Sequence, residues 1–223
     1  MRPLYSLAVM ISEAAETLGT SDGVAVEARV AAPPTPRGGV VICHPHPLYG
    51  GDMDNPVVVR LVEVSNDLGL ATIRFNFRGT GDSTGVHDHG TGEQRDVEAA
   101  LARLAALVGA ERPLFLAGYS FGAAVVATVA PRHADLGGVV LVAPPLARVD
   151  PASFAGLDRF GERLLIVAGS NDEICPAEGL ARLRETTPRA TVHIIEGANH
   201  FFFGKLYPLG EALAAWRSTV WGA

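Results

Sequence analysis

Leu114-Phe115-Leu116-Ala117-Gly118-Tyr119-Ser120-Phe121-Gly122 is the stretch on which the reading of this chain turns. Residues 113–119 make an apolar run of strand character, and 121–130 is a small-residue segment that reads as helix. Between them stands the pattern G-x-S-x-G. In a chain with 25 glycines the five residues alone mean little. A strand directly before and a helix directly after give them meaning, because a sharp strand-to-helix turn lifts the serine hydroxyl clear of the sheet. Glycine on either side lets the helix and the neighbouring strand approach closely. The first N–H groups of the helix have no partner within it and face the place where negative charge would develop on a carbonyl oxygen. Ser120 is thus the candidate nucleophile, and the backbone N–H of Phe121 one candidate oxyanion donor.

Working outward, short β-rich runs alternate with helical stretches. Residues 23–30 alternate apolar and polar side chains and read as an edge strand. Residues 40–43, 138–142 and 164–168 are apolar runs of the kind expected for strands buried on both faces, 71–77 is another strand, and 190–195 is the last strand. Helical periodicity runs through 55–68, with Pro56 in its first turn, and through 93–107, 177–185 and 209–220. Alternation of this kind predicts an α/β fold, with a mostly parallel central sheet and helices on both faces, as one domain over residues 1–223. In such sheets the chemistry gathers at the carboxyl ends of the strands.

A serine hydroxyl needs a base within reach to become a nucleophile. His200 stands just after the last strand, in a glycine-containing loop, and is the candidate base; His193 lies inside that strand. The acid that orients the histidine belongs at the tip of the preceding strand, where the sequence reads Gly169-Ser170-Asn171-Asp172-Glu173. Asp172 is the first choice and Glu173 its rival, whereas Asp158 comes before that strand. A second oxyanion donor is expected from the loop after 40–43, His44-Pro45-His46-Pro47-Leu48-Tyr49-Gly50-Gly51. The prolines have no N–H to give. His46 is favoured by its closeness to the strand end, with Leu48 and Tyr49 as alternatives. His44 and His46 have no carboxylate or cysteine at ligand spacing, so no metal is expected.

The loop 77–85, Phe77-Arg78-Gly79-Thr80-Gly81-Asp82-Ser83-Thr84-Gly85, lacks the lysine of a phosphate-binding loop. It reads as a turn-rich rim in which Arg78 pairs with Asp82 or Asp96, followed by a solvated His87-Asp88-His89. The formal net charge of −6 argues against a nucleic-acid partner. No apolar run reaches the length of a membrane span. Residues 4–11 are apolar apart from Ser6 and follow one arginine, but the run is too short and too soon followed by Glu13 for a secretory signal, so a cytoplasmic protein is expected. Cys43 and Cys175 read as buried free thiols.

Taken together, His44-Pro45-His46-Pro47 with Gly50-Gly51, Asn76-Phe77-Arg78-Gly79 with Gly81 and Ser83, Gly118-Tyr119-Ser120-Phe121-Gly122, Asp172 and Asn199-His200-Phe201-Phe202 span the chain from about residue 23 onward. In these the chain resembles small bacterial members of the α/β-hydrolase superfamily, near the dienelactone hydrolases and serine-peptidase-like esterases. The resemblance implies an eight-stranded type of sheet, a Ser-Asp-His triad and no cofactor. It departs from dienelactone hydrolases proper in carrying Ser120 where those have cysteine. Many relatives insert a helical cap after the sixth strand. Here only 144–162, with Pro144, Pro145 and Pro151, separates two core strands, leaving room for a short helix and a minimal lid. The expected activity is hydrolysis of small-molecule carboxylic esters, with thioesterase and aminopeptidase-like activity as alternatives within the same chemistry.

Overall fold

The structure is a computed structural model that describes residues 12–221. Eight strands form one sheet: β1 (Ala14–Gly19), β2 (Ala25–Ala31), β3 (Gly39–Cys43), β4 (Ala71–Phe75), β5 (Leu114–Tyr119), β6 (Gly138–Val142), β7 (Leu164–Gly169) and β8 (Thr191–Ile195). Their spatial order is β1-β2-β4-β3-β5-β6-β7-β8. β1 and β2 pair antiparallel, as do β2 and β4; the remaining pairs are parallel. Every residue of β3, β4, β6 and β7 is buried, as a strand covered on both faces requires. β2 alternates as its sequence predicts but is not the expected edge strand, because β1 pairs with it on the side away from β4. Edge strand β8 is mostly exposed.

The helices are α1 (Pro56–Asp67), α2 (Glu93–Val108), α3 (Phe121–Val129), α4 (Ala177–Thr186) and α5 (Leu206–Trp221). Asn55 caps α1 by accepting from the N–H of Val57, directly before Pro56. The apolar run 4–11 lies outside the described residues. β1 is a finding that the sequence pattern did not suggest: in AAETLG only Leu18 is buried, and pairing with β2 holds the segment. Between β6 and β7 there is no cap domain. That connection contains a 3-10 stretch, Pro151–Arg163, broken at Gly161 and packed against α3 and α4. No helix among the described residues is long and apolar enough to cross a membrane.

β5 sits between β3 and β6. The loops that follow β3 and β6 therefore rise on either side of whatever β5 presents at its carboxyl end, which is Ser120.

Candidate active site

Ser120 is the hinge between β5 and α3, with φ 54° and ψ −115°. A non-glycine residue seldom adopts such a backbone, and only the surrounding packing keeps it there. The flanking glycines show why. A Cβ on Gly118 would stand 2.3 Å from the carbonyl oxygen of Gly122, and one on Gly122 2.5 Å from that of Cys43. The turn closes only because both side chains are absent.

The residues singled out by sequence come together at the strand ends. Ser120 Oγ lies 2.9 Å from His200 Nε2. On the other side of the ring, Nδ1 is 2.9 Å from Asp172 Oδ2 and 3.0 Å from Oδ1. Asp172 Oδ1 also accepts from the backbone N–H groups of Ile174 and Cys175, each at 2.9 Å. A buried acceptor so occupied draws the proton of His200 to Nδ1, leaving the Nε2 lone pair to receive the serine proton. Glu173, the rival acid, makes no contact with His200. The His200 loop is tied to the nucleophile strand by Tyr119, whose buried hydroxyl donates to the His200 carbonyl at 2.8 Å.

The loop after β3 is set by His44, which is fully buried. Its Nε2 accepts the N–H of Phe77 at 2.9 Å, so its proton resides on Nδ1, 2.6 Å from the carbonyl oxygen of Pro45. Burial lowers its pKa to about 4, which keeps it neutral. With both nitrogens engaged by backbone, His44 is not free to ligate a metal. Beyond Pro45, the N–H of Leu48 points to His46 Nδ1 at 3.3 Å, and those of Tyr49 and Gly51 to the His46 carbonyl, each at 3.1 Å. His46 is the donor in this turn whose N–H is not taken up by the turn itself, and its ring lies 4.9 Å from that of Phe121. The two thiols are poor nucleophiles: burial raises Cys43, and burial with the charge of Asp172 pushes Cys175 up to about 12.

Ser120, His200 and His46 open on a cleft of about 720 Å³. Arg78 lies behind its rim and pairs with Asp96 at 2.8 Å and with Asp22 at 2.9 Å, while Asp82 makes no ion pair with it. His87 departs from its expectation of a solvated residue. Its side chain is only 7% exposed, packed against the rings of His46, His89 and Phe121 and against buried Glu93.

A family model described as an alpha/beta hydrolase domain matches residues 39–206, most of the chain, including His46, Ser120, Asp172 and His200. The chain belongs to the alpha/beta hydrolase family. An uncharacterized protein of Rickettsia prowazekii (strain Madrid E) is 31% identical over 202 residues, 87% of this chain and 85% of the relative. Among solved structures, an alpha-beta serine hydrolase homologue from Coxiella burnetii is 34% identical over 92% of this chain and 98% of its own, with a TM-score of 0.80. A serine hydrolase without a lid from Xanthomonas campestris is 30% identical over 100% of this chain and 99% of its own, with a TM-score of 0.82. The minimal connection between β6 and β7 agrees with that lidless alpha/beta hydrolase architecture.

Proposed function

We propose that the chain is a carboxylesterase-like serine hydrolase that cleaves esters of small to medium acyl groups through an acyl-enzyme. The observation that carries this reading is the continuous chain of hydrogen-bond distances from Ser120 Oγ through the His200 ring to Asp172, opening on a cleft. His200 Nε2 takes the Ser120 proton as Oγ attacks the ester carbonyl. Asp172 stabilises the imidazolium that results and holds the ring in place. The N–H groups of Phe121 and His46 receive the oxyanion, charge that exists only as the tetrahedral species forms. His200 then protonates the leaving alcohol. Water, deprotonated by the same nitrogen, releases the acid and restores Ser120. No cofactor enters the scheme.

Two experiments test it. A fluorophosphonate probe should label the protein at Ser120 and fail to label Ser120→Ala. A panel of p-nitrophenyl esters of graded length, with a thioester and an aminoacyl arylamide, should give the ester the highest kcat/KM. A preference for the thioester or the arylamide would reassign the substrate within the same chemistry. Absence of both labelling and turnover in folded protein would point to a binding protein built on this fold.

A further inference from the structure

The imidazole rings of three histidines of the cleft wall, and one arginine, play no part in the scheme above. His46, His87 and His89 lie side by side on the wall that holds Phe121, with ring centroids 5.0 Å apart for the first pair and 4.9 Å for the second. His89 has a left-handed backbone, φ 49°. His87 is the unusual one. Its Nδ1 is 2.8 Å from Glu93 Oε1, an ion-pair distance without hydrogen-bond direction. Neither ring nitrogen has a hydrogen-bond partner among the described residues, although the side chain is more than nine-tenths buried. Glu93 is itself satisfied by the N–H groups of Asp88 and Gly90.

Arg148 faces this wall from the loop after β6. Its guanidinium stands 6.0 Å from the centre of the Tyr49 ring, which belongs to the loop after β3. Because β3 and β6 flank β5, this contact spans the cleft above Ser120. Arg148 makes no ion pair among the described residues. No aspartate or glutamate among them lines the cleft; Glu93 and Asp172 stand behind His87 and His200. Arg148 is the one arginine or lysine lining the cleft among the described residues. The pKa of His46 is lowered, first by burial and then by its neighbours His87, His89 and Arg148, with Glu93 acting the other way.

We propose that this cleft selects substrates bearing a carboxylate or phosphate away from the reacting carbonyl, with Arg148 as the anchoring cation. The inference rests on the acyl-transfer reading of the same cleft. An anion would meet at Arg148 a guanidinium with no ion-paired acid among the described residues.

Two matched pairs test it: mono-4-nitrophenyl adipate against 4-nitrophenyl hexanoate, and 4-acetoxybenzoate against its methyl ester. At low salt, in at least one pair, the anionic member should be preferred in kcat/KM by about tenfold or more, the size of one charge-assisted hydrogen bond. Most of the preference should lie in KM. Arg148→Gln should bring the ratio toward one, and Arg148→Lys should retain part of it. Each ratio is internal to one protein, so a general loss of fold does not imitate the effect. Equal or lower preference for the anion in both pairs, or a ratio that survives Arg148→Gln, would overturn the proposal. Calorimetric binding of the same four compounds to Ser120→Ala, with and without Arg148→Gln, decides the matter even if the wild type hydrolyses none of them. In that event the esterase reading fails while anion selectivity stands or falls on the dissociation constants.

Discussion

Acid should unfold this protein through one histidine, and the size of the effect can be worked out. His44 Nε2 is an acceptor in the native state, since the backbone N–H of Phe77 points at it. Protonation would set N–H against N–H in a site with no access to water. The native pKa accordingly falls from an ordinary 6.5 to about 4. A base depressed on folding contributes stability that is fully present above the unfolded value and is lost as pH falls toward the folded one. At about 1.4 kcal/mol for each tenfold difference in proton affinity, the interval corresponds to about 3 kcal/mol in all. About 2 kcal/mol of it should go between about pH 7 and about pH 5. Urea unfolding of the wild type and His44→Gln over that range isolates it, because the other titrating groups are common to both. Gln can still accept from Phe77 but does not titrate. The variant should be less stable at neutral pH, and the gap should close by about 2 kcal/mol on acidification. Parallel stability curves would show that His44 is not held neutral by the contacts described, and the argument would fall.

In the ester assay, Ser120→Ala and His200→Ala should each lower kcat by a similar factor, on the order of 10⁶, and the double variant should be scarcely worse, because the groups act as a unit. Asp172→Asn should retain more activity, with a loss of about 10⁴. Asp96→Ala leaves the buried Arg78 guanidinium with only the half-exposed Asp22, and should cost about 3–5 kcal/mol in chemical denaturation. Glu63→Ala, at an exposed pair with Arg60, should cost less than about 0.5 kcal/mol in the same measurement. With no cap over the cleft, kcat/KM in a chain-length series should fall from short to long acyl groups; a steady rise toward palmitoyl esters would contradict this.

What the sequence discloses and what it hides divide along a physical line. The buried parallel strands are legible because burial on both faces demands continuous apolar residues, as in Gly39–Cys43 and Leu164–Gly169. Ser120, Asp172 and His200 are legible because a parallel sheet puts the residue after each strand on one edge. β1 leaves no such trace, since a strand exposed on most of its length needs no pattern; backbone pairing with β2, the buried Leu18 and the Glu16–Arg103 ion pair hold it. His87 reads as solvated within a polar stretch; it is buried by Phe121, His46 and Glu93, none of which is its neighbour in sequence. Arg78 likewise finds Asp22 across 56 positions, a pairing that only the folded β1–β2 turn brings about. The preference for His46 over Leu48 and Tyr49 comes from closeness to the strand end alone; that the other two N–H groups are engaged within the turn is visible only in the folded loop.

The bond from the Tyr119 hydroxyl to the His200 carbonyl joins positions 81 apart in the chain. During synthesis the nucleophile strand leaves the ribosome long before its histidine exists. A nascent chain carrying Ser120 therefore lacks His200, the proposed base, until the last strand has been made and has docked beside β7. The same order makes probe labelling of Ser120 a late folding signal: in a refolding experiment it should rise with closure of the β7–β8 edge, after the central strands have already formed.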